Sequence, residues 1–140
     1  MTKDVLVRVK GTQFMDDEND VIEMITAGTF NEKNGKKYLI YDETIVEGGD
    51  QTHNIVKIWP DKVEDTHMTF ECGKKHMCNY MTPVGLIILG ITTSALEVEE
   101  DETSMGIVIS YALEMNGEYI SGCGLEIYAR DKGNGPWSLD

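Results

Sequence analysis

The chain has 140 residues, 41% of them hydrophobic and 26% charged, enough for one buried core and too ordinary a mixture for a disordered chain. Its 25 acidic residues outnumber 12 basic ones, a formal net charge of −13. That balance argues against nucleic acid and anionic membrane as partners, because phosphate recognition needs clustered Lys and Arg.

The opening residues, Met1-Thr2-Lys3-Asp4, lead directly into the alternating Val5, Val7 and Val9, with no secretory signal. The longest apolar run, 84–91, is too short for a bilayer and contains two glycines. Three cysteines, Cys72, Cys78 and Cys123, leave one unpaired in any disulfide scheme. A single cytoplasmic domain over 1–140 with reduced thiols is expected.

Period-two alternation dominates from the start. Strands are predicted at 4–12, 21–30, 37–46, 53–59, 67–72, 76–82, 86–93, 104–115 and 118–130, with short ones near 62–65 and 95–98. Val21, Ile22, Met24 and Ile25 would also line a helix face. The β-rich stretch 26–30 follows without a break and must enter the turn at Asn34-Gly35, so a strand is preferred. No other segment favours a helix. The acidic runs 16–20 and 97–102 lack the fixed spacing and central glycine of an EF-hand loop and read as solvated loops between strands.

Asn34-Gly35 and Asn116-Gly117 tolerate the positive φ of a two-residue hairpin, and each therefore sets a pairing register. Counting outward from Lys33 and Lys36 pairs Phe30 with Leu39, Gly28 with Tyr41, Thr26 with Glu43 and Met24 with Ile45. Counting from Met115 and Glu118 pairs Leu113 with Ile120, Tyr111 with Gly122, Ile109 with Gly124 and Ile107 with Glu126. Each hairpin then sets a tyrosine against a glycine and a carboxylate, Glu43 or Glu126, on the apolar face. Bulges at the glycines would shift the second register and move Glu126 outward.

A third hairpin is expected across Gly73-Lys74, with Glu71 opposite His76, Thr69 opposite Cys78 and His67 opposite Tyr80. The pleat then sends Cys72 to the other face and splits the set Cys72, His76 and Cys78, so no metal site is expected. Cys78 reads as a small core residue, and neither it nor His76 sits at a helix N-terminus that would activate a thiol. There is no phosphate loop and no nucleophile elbow, and no cofactor is implied. Trp59 and Trp137 are singletons that would cap a barrel end or touch a ligand.

Taken in order and spacing, several stretches resemble the YwiB-like family. They are Val7-Arg8-Val9-Lys10-Gly11-Thr12-Gln13, Tyr41-Asp42-Glu43-Thr44, Phe70-Glu71 with Gly73-Lys74, then His76, Tyr80, Thr82-Pro83, Gly85 and Leu113-Glu114-Met115-Asn116-Gly117. The similarity runs from Val5 to about Arg130. These are small uncharacterised bacterial proteins, found mainly in Gram-positive lineages. The resemblance implies a calycin-like (lipocalin-type) closed antiparallel barrel and a cytoplasmic location, and it transfers no activity, substrate or catalytic residue. The cysteines and the acidic run at 97–102 are not part of the pattern.

The expectation is therefore an all-β protein: a single closed antiparallel β-barrel of about eight to ten strands with little or no helix. Its expected function is non-enzymatic binding of a small amphipathic ligand in the barrel interior or mouth, by a monomer or homodimer. Tyr41, Glu43, His76, Tyr80, Tyr111 and Glu126 are the candidate ligand-binding residues, the tyrosines offering ring surface and hydroxyls and the glutamates acceptors. Two alternatives remain: a small-metabolite enzyme using a carboxylate and His76, and an interaction module acting through the acidic surface.

Overall fold

In a computed structural model of the protein, the described residues are 2–14, 18–44, 51–65 and 68–132. They form ten strands: β1 Thr2–Phe14, β2 Asn19–Lys33, β3 Lys36–Thr44, β4 Gln51–Ile58, β5 Lys62–Glu64, β6 Thr69–Glu71, β7 Lys75–Thr82, β8 Gly85–Glu100, β9 Ser104–Met115 and β10 Glu118–Asp131. No α-helix occurs among the described residues, and the helical alternative near Met24 is resolved in favour of a strand. All pairings are antiparallel, in the order β6-β5-β4-β3-β2-β1-β10-β9-β8-β7.

The two ends of that order meet on β8. Glu71 accepts from the N–H of Lys74 (3.0 Å) in a tight turn with Gly73 at φ 78°. The turn is bonded to β8 through Gly73 N to Thr93 O (2.9 Å) and Thr93 N to Lys74 O (3.3 Å). The sheet thus wraps into a nearly closed barrel, which leaves little unpaired edge. The third hairpin expected from the sequence is corrected here: β6 pairs with β5 and β7 with β8, rather than with each other. A positive-φ glycine serves a corner between ladders as well as a hairpin, so the local pattern does not distinguish them.

The Asn-Gly turns form as their residues require, with φ of 55° and 78° at Asn34 and Gly35 and 51° and 88° at Asn116 and Gly117. The first register is as expected, from Lys33–Lys36 through Phe30–Leu39 to Gly28–Tyr41. Gly28 is required there, because a Cβ would lie 2.6 Å from the carbonyl oxygen of Ile40 and 2.9 Å from Val7 Cγ2. The ladder ends at Gly28–Tyr41, short of the expected Thr26–Glu43 pair, and Ile45 lies outside the described residues.

The second register slips by one. The ladder runs Glu118–Met115 and Tyr119–Glu114, then resumes at Ser121–Leu113, with Ile120 as the extra residue of a bulge. Tyr111 therefore faces Cys123, Ile109 faces Leu125, and Ile107 faces Ile127. The apolar effect explains the choice: the slip turns Leu125, Ile127 and Ala129 inward in place of Gly124, Glu126 and Tyr128. A second bulge, between Thr93 and Ala95, joins the two strands expected at 86–93 and 95–98 into one. Residues 97–100, read as loop, are thereby strand.

The registers stack the interior into layers. Val98, Ile107, Ile127, Val9 and Met24 lie side by side across five strands, and Val5, Gly28, Tyr41 and Asn54 across four. Leu39, Val56, Val63 and Phe70 are fully buried and close the far wall. Burying such side chains is worth about 1.5–3 kcal/mol each, which makes this aliphatic mass the barrel's main source of stability.

A polar cleft at one end of the barrel

Beyond the aliphatic layers the interior changes character. Leu96, Ile109, Leu125, Gly11 and Ile22 form the last apolar layer, and Thr93, Tyr111, Cys123, Gln13 and Asp20 form the next. Directly paired residues point to the same side, so β8, β9, β10, β1 and β2 each supply one polar side chain to a single row. A cleft of 440 Å³ opens over these layers, lined by Gly11, Gln13, Ile22, Tyr111, Leu113 and Cys123 among others. That volume falls within the range of small-molecule sites.

Gly11 keeps the cleft open: a Cβ there would have no atom within 4 Å. The polar side chains above it are linked. Gln13 Nε2 donates to Ser121 Oγ at 3.0 Å, and Ser121 Oγ lies 3.5 Å from the Cys123 sulfur. Tyr111 packs its ring on Phe70, with centroids 5.0 Å apart at 59°, an arrangement worth about 1 kcal/mol beyond burial. Burial above all, then the Cys123 thiol and the Asp65 carboxylate, pushes the Tyr111 phenol far above its ordinary pKa. It remains a neutral hydroxyl at physiological pH.

Thr93, opposite Tyr111, is 1% exposed, and its Oγ1 has no hydrogen-bond partner among the described residues. A buried hydroxyl left unbonded costs about 1–3 kcal/mol, so the row contains an unmet demand for a polar partner.

Of the residues predicted from sequence, only Tyr111 lines this cleft. Tyr41 is buried in an aliphatic layer, where Asn54 Nδ2 donates to its hydroxyl at 2.8 Å. Glu43 pairs with Thr52 through the backbone, and its side chain lies outside the described residues. Glu126 is on the outer face, 3.9 Å from Lys10 Nζ and accepting from the Tyr128 hydroxyl at 3.2 Å. The bulge in β10 put it there.

His76 and Tyr80 are half-buried on β7. Glu71 Oε1 is 2.9 Å from His76 Nε2, and Glu71 Oε2 is 3.2 Å from Lys74 Nζ. The His76 contact first, then Lys74, holds the Glu71 carboxyl below its ordinary pKa. Glu71 and His76 do meet, then, but across the corner onto β8 rather than across a hairpin. Trp59 stacks under the Lys62 ammonium, 4.4 Å from the ring centroid, and Trp137 lies outside the described residues.

Gln13, Thr93, Ser121 and Cys123 were not singled out as ligand contacts. Their only local signal is that Cys123 shares a pleat phase with Leu125 and Ile127, which becomes visible once β10 is phased by its apolar residues.

A smaller cleft of 280 Å³ lies at the other end of β1, β9 and β10, floored by Val5, Phe30, Met105 and Ala129. Its polar rim is already engaged. Asp101 accepts from the N–H and hydroxyl groups of Thr103 and Ser104, which hold its carboxyl below its ordinary pKa, and Lys3 Nζ donates to Glu102 O at 3.0 Å. Among the described residues no group of three His, Cys, Asp or Glu could hold a metal ion. Among the described residues no helix is long and apolar enough to cross a membrane.

Fold and cleft together define a small, nearly closed antiparallel barrel with a mostly aliphatic interior and a polar mouth. The chain belongs to the family described as a domain of unknown function (DUF1934), which it matches over residues 7–127. Its fold is similar to that of the ywiB protein from Bacillus subtilis in a crystal structure, with a TM-score of 0.77 and 23% identity over 93% of this chain and 92% of that one. The YwiB-like resemblance read from the sequence agrees with both findings. No curated protein matches the sequence.

Proposed function

We propose that this protein is a non-enzymatic binder of a small amphipathic molecule, held at the polar mouth of the barrel. The observation that carries this reading is the 440 Å³ cleft, in which a Cβ on Gly11 would meet no atom within 4 Å while polar side chains from several strands converge beside it. The ligand's apolar part would lie on Ile22 and Leu113, and its polar end against Gln13, Tyr111 and the row behind them. Such a division, an apolar wall with a few placed polar groups, is the usual composition of a small-molecule site.

The test is native mass spectrometry of freshly purified protein beside a Gly11→Leu variant. The wild type should carry an adduct of small-molecule mass that the variant lacks. An adduct of equal occupancy in both would place the ligand elsewhere. A wild type free of adducts that also gains no thermal stability from any member of a metabolite and lipid panel would remove the reading altogether.

A further inference from the structure

Resting on that reading, we infer the chemical class of the ligand: a cationic amphiphile, an aliphatic chain ending in an ammonium or comparable N–H-rich cation. The lining offers the Asp20 carboxylate and the Gln13 carbonyl as acceptors. Asp20 is the one charged side chain among the described residues lining it, and no Lys or Arg does so.

Gln13 gives one of its two amide hydrogens to Ser121 and keeps its carbonyl oxygen as an acceptor, and behind the lining the Thr93 hydroxyl is buried without a partner among the described residues. An alkylammonium offers three donors and no acceptor, which complements this set; a carboxylate or phosphate offers only acceptors and would meet Asp20 with like charge. The net charge of −13 repels anionic ligands from the whole molecule and attracts cations.

The experiment is isothermal titration of the full-length chain at neutral pH and low salt with three probes of equal tail length: octylamine, octanol and octanoate. Octylamine should bind at least tenfold more tightly than octanoate, with octanol between them. Asp20→Asn should reduce the preference for octylamine several-fold. Gly11→Leu leaves the net charge untouched and should abolish octylamine binding, whereas diffuse attraction to an acidic protein would persist in it.

Octanoate or octanol binding as tightly as octylamine, with Gly11→Leu blocking them, would overturn the ligand class and leave the cleft reading standing. Octylamine binding that survives Gly11→Leu would place the cation elsewhere and overturn the inference. No binding of any probe would overturn both.

Discussion

Two glycines of the inner wall, Gly28 and Gly11, divide the barrel interior by what surrounds them. A Cβ on Gly28 would strike the Ile40 carbonyl and Val7, so its missing side chain lets two strands and a tyrosine close on one another. A Cβ on Gly11 would meet nothing within 4 Å. The same residue type thus marks a place where backbone packing is complete and a place where the fold has left space. The first belongs to the aliphatic half that holds the barrel together, the second to a polar end whose Thr93 hydroxyl still wants a partner.

This contrast can be broken in four ways. Gly28→Val should have the largest effect, abolishing folded protein as judged by far-ultraviolet circular dichroism, because the contact at 2.6 Å is with backbone and cannot rotate away. Next, Ile107→Ala, in the buried layer with Ile127 and Val9, should lower unfolding free energy in urea by about 3 kcal/mol. A loss below about 1 kcal/mol would mean that the aliphatic half is also loosely filled.

The third concerns pH. The Glu71 carboxyl is depressed in the folded state from an ordinary value of 4.5 by His76 and Lys74. Its contribution to stability is present above that unfolded value and is lost as pH falls through the lower folded one. Wild type should therefore lose more of its urea midpoint between pH 6 and pH 3 than Glu71→Gln does; equal slopes would show that the carboxylate is indifferent to folding. The smallest effect belongs to Gly11→Leu, which should change the urea midpoint hardly at all because a Cβ there enters open space. A large destabilisation there would show that the cleft is not open.

How much of this was legible in the sequence follows from the same residues. Asn34-Gly35 gave the first hairpin its register because the turn leaves no freedom and no bulge intervenes. Asn116-Gly117 gave the second hairpin but not its pairing, since the bulge after Tyr119 sits at Ile120, a residue with no turn signature. The apolar phase of Leu125, Ile127 and Ala129 outweighed the register counted from the turn, and Glu126 went outward with it. The polar row was not legible at all. It depends on β1 lying beside β10, a pairing of strands more than a hundred residues apart that no local pattern encodes.

The hairpin alone puts Tyr111 on the apolar face of its strand. Gln13, Thr93 and Cys123 required the whole strand order.

Chemical-shift mapping of the ¹⁵N-labelled chain during titration with octylamine tests the location of the site directly. A ligand at the polar mouth gives saturable amide shifts concentrated at residues 11–13, 20–22, 111–113 and 121–124, absent from the Gly11→Leu variant. Shifts centred on residues 100–105, at the opposite end of the barrel, or spread evenly over the acidic surface, would contradict it.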